Sequence, residues 1–224
     1  MKTNKLFNNK NIDTILLFLI VFFALSCSST NPKVYKKGMS FDYDVIMTDS
    51  NGKQEDTCSI TMTIDGGVTI DRQQKKLKYY YSPCLDKNYY EETTGYIDDG
   101  KTISLHPPRL SYMSFTEIVP FPTFTLPIGV ETSTKGTLTV KESTFKQLNG
   151  KEVEYEYNQE GVDTLLINNQ KIVCYLVKGK NTNQIKEFGQ YSCTYYFNER
   201  YGFVKWVYIK PNGEKVEMIL KDCK

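Results

Sequence analysis

The sequence predicts an all-β protein built as an antiparallel meander. Short runs of alternating apolar and polar residues recur along most of its 224 residues, and a period of two is typical of half-buried strands. Asn-Gly, Asp-Gly and Gly-Gly pairs fall between the runs, where hairpin turns favour such residues. Tyrosine (17 residues) and phenylalanine (12 residues) are abundant, and aromatic residues favour strands. A sheet of about a dozen strands is expected to curl into a barrel or half-barrel, or to split into a sandwich.

The expected strands lie between residues 38 and 224, which we predict to be a single domain. This region shows no convincing helical period. Turn signals separate many of the runs, at Asn51-Gly52, Gly66-Gly67, Asp99-Gly100, Asn149-Gly150, Asn168-Asn169 and Asn212-Gly213. The runs themselves are Phe41–Met47, Cys58–Ile64, Leu77–Tyr81, Tyr89–Ile97, Thr102–Leu105, Thr137–Val140, Val153–Tyr157, Val162–Ile167, Ile172–Val177, Tyr191–Phe197, Phe203–Ile209 and Val216–Leu220.

Residues 1–26 have the pattern of a secretory leader. The uncharged apolar run that begins at Ile15 is about eleven residues long, which is too short to cross a bilayer as a helix. Lys2, Lys5 and Lys10 precede it and supply the positive segment that stays on the cytoplasmic side. The full sequence carries a net charge of +2, and the leader, with three lysines and Asp13, accounts for +2 of it, so the remaining chain is nearly neutral.

The leader ends in Ala24, Leu25 and Ser26, directly before Cys27, and this sequence resembles the lipobox of bacterial lipoproteins. The resemblance implies a diacylglycerol on the Cys27 sulfur, cleavage before Cys27 and a third acyl chain on the new amino terminus. Two or more acyl chains hold a protein stably on a membrane, whereas one binds only marginally. The alternatives are an uncleaved signal anchor, or ordinary cleavage in which Cys27 has no role.

The residues after Cys27 indicate where such a lipoprotein resides. Residues 27–37 are polar and read as the lipidated cysteine with a tether, which reaches about 30 Å when fully extended. Ser28 stands where an aspartate would resemble an inner-membrane retention signal, so the outer membrane is favoured. No acidic cluster follows, and we therefore expect the body to face the periplasm.

Five cysteines remain after Cys27, and an exported protein is permitted disulfides. Cys174 and Cys193 flank an expected hairpin with its midpoint near residues 183 and 184, so they are predicted to form one bridge. A second, less favoured bridge joins Cys58 to Cys84, and Cys223 is left free. Spacing alone does not choose among the pairings.

The segment from Pro107 to Val130 interrupts the strand pattern, since it holds five of the eight prolines, and proline does not fit a central strand. It is also strongly apolar. We expect it to fold across the mouth or concave face of the sheet, where it lines a pocket or plugs the core without binding anything. The residues proposed to line the pocket are Tyr112, Met113, Phe115, Phe121 and Phe124.

Residue types that carry catalysis are sparse. His106 is the one histidine, and next to two prolines it is expected to be a loop residue without a catalytic role. Glu91 and Glu92 could be proposed as glycosidase carboxylates, but neighbours on a strand point to opposite faces. Asp98 and Asp99 are better explained by a turn. We therefore expect no enzymatic activity, with a carbohydrate-active enzyme as a distant alternative.

Other ligand classes also find no support. The cysteines do not form zinc-binding pairs, no phosphate-cradling loop is present, and no basic cluster indicates nucleic-acid binding. No metal, cofactor or nucleic acid is therefore expected, and the sequence identifies no protein partner. Two tyrosine runs could stack on sugars, although tyrosines in strands usually belong to the sheet: Tyr79-Tyr80-Tyr81 and Tyr89-Tyr90.

Residues Thr194 to Asp222 combine an aromatic strand, the corner Gly202 to Lys205, an Asn-Gly hairpin and an alternating final strand. This C-terminal third resembles the closing strands of the lipoprotein-carrier superfold (LolA/LolB-like periplasmic half-barrels). The resemblance implies an acyl chain held in the concave face under a lid, with the segment Pro107 to Val130 in the place of the lid. The expected function is thus an apolar or acyl ligand-binding lipoprotein, or alternatively a structural or partner-docking lipoprotein with a filled core.

Overall fold

The computed structural model describes residues 33–70, 73–84, 88–125, 132–140, 146–182 and 189–224. Within these ranges the regular elements are twelve strands and two short 3-10 helices, at Ser111–Ile118 and Lys146–Leu148. The strands are β1 (Ser40–Thr48), β2 (Gln54–Val68), β3 (Lys75–Tyr81), β4 (Tyr90–Asp98), β5 (Thr102–Leu105), β6 (Thr123–Thr125), β7 (Thr132–Thr139), β8 (Glu152–Ile167), β9 (Gln170–Asn181), β10 (Ser192–Asn198), β11 (Gly202–Ile209) and β12 (Lys215–Cys223).

All twelve strands form one antiparallel sheet in the order β6-β5-β4-β3-β2-β1-β12-β11-β10-β9-β8-β7. The first and last strands pair at its centre, where Val45 lies opposite Met218. Each half of the chain then runs outward as a meander, so β6 and β7 are the two edges. The predicted all-β antiparallel meander is therefore confirmed.

The sheet curls into a half-barrel. Alternate side chains of β1 are buried and belong to the core, among them Phe41, Tyr43 and Val45. Phe124 on the edge strand β6 touches Phe197 of β10 with ring centroids 5.0 Å apart. Those two strands are eight places apart in the sheet order, so this contact requires strong curvature.

Aromatic rings fill the concave side, and several are tyrosines whose hydroxyl groups need partners once they are buried. Tyr43 donates from its hydroxyl to the backbone oxygen of Phe203, 2.9 Å away. Its ring also packs near Trp206, with centroids 5.9 Å apart. The sequence-based expectation that strand tyrosines belong to the sheet holds for Tyr79 and Tyr81, which are almost completely buried, while Tyr80 faces outward.

Most predicted turn residues occupy turns. Asn168 and Asn169 both adopt positive φ (49° and 60°), which is the geometry of the tight turn that joins β8 to β9. The prediction for Gly66-Gly67 was wrong, because β2 continues through this pair to Val68. The β2–β3 register shifts between Ile64 and Val68, so the glycines accommodate a bulge instead of a turn.

Two further expectations need correction. The runs Val153–Tyr157 and Val162–Ile167 are one strand, β8, whose register against β9 shifts at Gly161. A bulge adds one residue to a strand without ending it, and it changes the phase in which apolar and polar residues alternate. In the sequence, this change of phase looks like a break between two strands. The proline-rich segment also contributes a short strand, β6, at the sheet edge.

The tether ends earlier than expected. Residues up to Lys37 were assigned to it, but Val34 is 8% exposed and Tyr35 only 2%. The Tyr35 hydroxyl accepts a hydrogen bond from the backbone nitrogen of Phe203 at 2.9 Å. An aromatic and a β-branched residue therefore close one end of the half-barrel.

The leader and Cys27 lie outside the described residues. Among the described residues, no helix combines the length and apolar character needed to span a bilayer.

Candidate functional site

Residues 106–122, here named the crossing segment, connect β5 to β6 across the concave face. Tyrosine hydroxyls of the sheet donate to its backbone oxygens. Tyr79 reaches His106 at 2.8 Å and Tyr157 reaches Phe121 at 2.5 Å, while Tyr195 donates to Pro120. Prolines keep this segment out of the sheet ladder, and buried carbonyl groups need another donor. The inward-facing tyrosines supply it.

The middle of the crossing segment is the 3-10 helix Ser111–Ile118, which packs against the second half of the sheet. Phe115 meets the ring of Tyr208 edge-on at 5.4 Å and stacks with Tyr191 at 6.2 Å. Thr116 is fully buried, and its hydroxyl donates a hydrogen bond to the backbone oxygen of Pro108 at 2.6 Å. The segment is thus fixed at several points along its length.

The five proposed pocket residues do not lie together. Met113, Phe115 and Phe124 are buried in the core, where they fill the concave face. Tyr112 packs edge-on against Tyr81 at 6.1 Å. Phe121 lines a cleft beside the crossing segment, so this segment acts mainly as a plug and borders that cleft on one side.

That cleft, here named the mouth cleft, has a volume of about 430 Å³. One wall comes from β4 and the crossing segment, and the other comes from the end of the edge strand β7. It therefore opens between the two halves of the sheet. The lining residues are Glu92, His106, Arg109, Leu110, Glu117, Phe121, Leu138, Thr139 and Val140.

Glu92 and Arg109 form an ion pair in the mouth cleft. Arg109 donates to the Glu92 carboxylate from its side-chain Nε at 2.8 Å and from its backbone nitrogen at 2.7 Å. The hydroxyl of Tyr81 donates to the same carboxylate at 2.6 Å. Burial, reinforced by the Glu92 charge, raises the pKa of Tyr81, so this hydroxyl stays protonated and remains a donor.

Apolar groups face this ion pair across the mouth cleft. The ring centroid of His106 lies 4.6 Å from that of Phe121, Leu138 comes from β7, and Val140 directly follows that strand. Arg109 is already committed to Glu92, and its Nη2 also donates to the Thr94 hydroxyl at 3.0 Å. The mouth cleft therefore offers an apolar surface with a few fixed polar groups, which is the usual composition of a small-molecule site.

A second cleft of about 570 Å³ shares His106 and Arg109 with the mouth cleft. Its other lining residues belong to β3, β4 and the β2–β3 hairpin, including Ile70 and Lys76. The two clefts thus meet at the first turn of the crossing segment. Of the lining residues of the mouth cleft, the sequence analysis proposed only Phe121 as a pocket residue.

The structure places the two acidic pairs, Glu91-Glu92 and Asp98-Asp99, on β4 and in the turn that follows it. Glu91 is exposed and pairs with Lys78 at 2.8 Å, whereas Glu92 is buried on the opposite face of β4. Asp99 accepts hydrogen bonds from two backbone nitrogens of its turn, which lower the pKa of its carboxyl. The turn predicted at Asp98 and Asp99 begins at Asp99, because Asp98 is the last residue of β4 and is buried.

The less favoured disulfide, Cys58–Cys84, is present, with Cα atoms 5.5 Å apart. The register of the β2–β3 hairpin pairs Ile60 with Tyr81, and continuing it by two residues places Cys58 within one position of Cys84. Asp56 lies beside the bridge, 3.3 Å from the Cys84 sulfur.

The favoured bridge between Cys174 and Cys193 was wrong. Cys193 lies opposite Gly179, five residues from the symmetric position that the sequence analysis assumed. Both thiols are free and buried, and burial raises the pKa of Cys193 to about 12 and that of Cys174 to about 11. Cys223 is also free, as expected.

The sequence matches no protein-family model and no curated protein sequence. A candidate exported protein with a YmcC-like fold from Bacteroides fragilis superposes with a TM-score of 0.48 at 11% identity, covering 85% of this chain and 97% of its own.

Two further solved structures are similar at the same level. A candidate lipoprotein from Parabacteroides distasonis has a TM-score of 0.44 and 11% identity, covering 84% of this chain and 96% of its own. The hypothetical lipoprotein YmcC from Escherichia coli has a TM-score of 0.38 and 12% identity, covering 92% and 94%. Similarity at this level carries no information about activity or ligand.

Proposed function

We propose that this protein is an envelope lipoprotein, anchored through acyl chains on Cys27 in the outer membrane with its body facing the periplasm. The leader pattern and the lipobox-like residues before Cys27 support the anchor, and Ser28 supports the outer membrane. We further propose that it is not an enzyme and that it binds a small amphipathic ligand in the mouth cleft. The sequence of the leader supports the lipid anchor, and the mouth cleft supports the ligand site.

The observation behind the ligand proposal is the volume and lining of the mouth cleft. About 430 Å³ falls within the range of small-molecule sites. An apolar portion of the ligand would contact Leu110, Phe121 and Leu138, with its polar end near Glu117 and Arg109. The concave face itself is a poor alternative for an acyl chain, because buried aromatic residues and the crossing segment fill it.

That filled core also supports the second candidate, a structural or partner-docking lipoprotein. Met113, Phe115 and Phe124 are almost fully buried, as expected for a plug with no ligand beneath it. A carbohydrate-active enzyme is not favoured, since Glu91 and Glu92 lie on opposite faces of β4 and Glu92 is committed to Arg109.

The anchor is tested by replacing Cys27 with alanine in the full-length chain. We expect loss of radiolabelled palmitate and accumulation of a precursor that retains its leader, because the lipid is attached to the Cys27 sulfur. Cys223→Ala, which removes another free thiol, is the matched control and should keep the label. Unchanged labelling and processing of Cys27→Ala would contradict the proposed anchor.

The ligand site is tested with Leu138→Trp, which fills the mouth cleft from the half-buried position on edge strand β7. Native mass spectrometry of the purified lipidated protein should show a co-purified small molecule on the wild type and not on this variant. Val162→Trp, at a residue that is 61% exposed, is the control and should keep the ligand. Equal occupancy in all three proteins places the ligand elsewhere, and a wild type without ligand favours the structural alternative.

A further inference from the structure

The chain enters the half-barrel at a defined end. Tyr35 packs its ring against Phe41 and Tyr96, with centroids 5.5 and 5.8 Å away, and its backbone nitrogen donates to Asp98 at 3.4 Å. The end of the half-barrel at which Tyr35 packs and β1 begins is here named the tether end. Only five residues lie between Cys27 and Lys33, and the six residue steps that join them span about 20 Å at most. An anchor at Cys27 therefore keeps the tether end close to the lipid.

The β2–β3 hairpin projects at the tether end. The backbone nitrogen of Gly38 donates to the oxygen of Ile64 at 2.8 Å, so the rest of β2 continues beyond the point of chain entry. In this hairpin Val68 is 53% exposed, and Ile70, at the rim of the second cleft, is fully exposed. A fully exposed isoleucine at a hairpin tip is costly in water and is favourable once another phase covers it.

The tip of the β8–β9 hairpin lies at the same end. Asn168 donates from its side chain to the backbone oxygen of Lys221 near the end of β12. The backbone nitrogen of Ser40 at the start of β1 donates to the oxygen of Lys224 at 2.9 Å. Leu166, two residues before the turn, is 69% exposed. Both hairpins thus carry exposed apolar residues toward the tether end.

Basic residues surround these apolar tips. The entering chain, the β10–β11 turn, the β4–β5 turn and the end of β12 all meet at the tether end, as their contacts with Tyr35 and Ser40 show. Exposed basic residues there are Lys33, Lys36, Lys37, Lys101, Arg200, Lys221 and Lys224. Exposed acidic residues there are Asp65, Asp99, Glu199 and Asp222. Seven basic residues against four acidic ones give these exposed groups a positive net charge. One of the acids, Asp222, is also paired with Lys224 at 2.9 Å.

We propose that the tether end is a second membrane contact, in which Ile70, Val68 and Leu166 enter the interfacial layer of the bilayer that holds the acyl chains. The basic residues would then lie against anionic phosphate headgroups, which attract lysine and arginine near the surface. This inference rests on the proposed lipid anchor at Cys27. It makes the body lie upright on the bilayer, with the Asn51-Gly52 turn at the far end of the sheet.

The test uses the full-length lipidated protein in vesicles of phosphatidylethanolamine and phosphatidylglycerol that contain brominated lipid. Trp206, the one tryptophan of the sequence, is fully buried and gives a constant background. Ile70→Trp is the probe, and Asn51→Trp is the matched control at the other end of β1, about 26 Å away by strand rise. We expect bromine to quench the emission of Ile70→Trp about twofold, because interfacial side chains reach only 5–10 Å deep, and to leave Asn51→Trp unchanged.

Flotation of the same vesicles separates the two proposals. If Ile70→Trp floats with the vesicles but is quenched no more than Asn51→Trp, the anchor holds and the membrane contact is wrong. A blue-shifted but unquenched Ile70→Trp likewise overturns it, since the tip is then covered by protein. Protein that does not float removes the anchor itself. Lys36→Glu/Lys37→Glu, added to Ile70→Trp, should float normally and show weaker quenching than Ile70→Trp alone, which would establish the contribution of the charges.

Discussion

Removing the disulfide by the double substitution Cys58→Ala/Cys84→Ala is expected to lower the free energy of unfolding by about 3.5 kcal/mol. The bridge joins residues 26 apart in sequence and so restricts a loop of that length in the unfolded chain. For a domain of this size, the loss corresponds to a fall of about 10 °C in the melting temperature. Urea unfolding and thermal melts of the mature protein measure it.

Reductant provides the control for that experiment. It should lower the urea midpoint of the wild type toward that of the double variant and leave the variant unchanged. Cys27 aside, thiol titration of the unfolded variant should find three free cysteines with or without reductant, namely Cys174, Cys193 and Cys223. A single free thiol without reductant would mean that Cys174 and Cys193 are bonded after all. A wild type insensitive to reductant would contradict the stabilising bridge.

The strands could be predicted because their signals are local. Alternation from Phe41 to Met47 and the Asn-Gly turn after it depend only on neighbouring residues, and β1 and its turn formed as expected. Pairing between distant positions depends on loop conformation as well. The hairpin that carries Cys174 and Cys193 is displaced by five residues from a symmetric register, and no feature of the sequence indicates that displacement.

The mouth cleft was only partly predictable. Proline content correctly marked the crossing segment as irregular and placed it on the concave face. The direction of each side chain in the crossing segment depends on which of its backbone oxygens accept hydrogen bonds from the tyrosine hydroxyls. Tyr195 and Pro120 are 75 residues apart in sequence, and that contact forms only after the sheet has curled. Phe121 therefore faces the mouth cleft, whereas Phe115 faces the core.

A signal for the buried ion pair was present in the sequence and was not used. Glu92 shares the phase of Thr94 and Tyr96 along β4, and that phase faces the core. An acidic residue at a core position needs a cation and further hydrogen bonds, because burying an unpaired charge is very costly. Arg109 follows two prolines just beyond β5 and is the partner.

Replacing Glu92 with glutamine is therefore expected to cost about 3 kcal/mol of unfolding free energy, since it leaves the Arg109 cation without its counter-ion. Arg109 retains 31% side-chain exposure, which keeps the expected cost at the low end for a broken buried pair. The amide also cannot accept from the Arg109 side chain, the Arg109 backbone and Tyr81 as the carboxylate does. Urea unfolding of the variant measures the loss.

The matched control is the neighbouring residue. Glu91→Gln removes the same charge from the exposed face of β4, where solvent screens the pair with Lys78, and it should therefore cost much less stability than Glu92→Gln. Equal losses of unfolding free energy in the two variants would mean that the buried pair of Glu92 with Arg109 stabilises the fold no more than an exposed pair does. A cycle with Tyr81→Phe should give a coupling of about 1 kcal/mol, since both residues share one hydrogen bond. Because Arg109 lies near the start of the crossing segment and lines the mouth cleft, Glu92→Gln should also weaken the binding of any ligand held there, while Glu91→Gln should not.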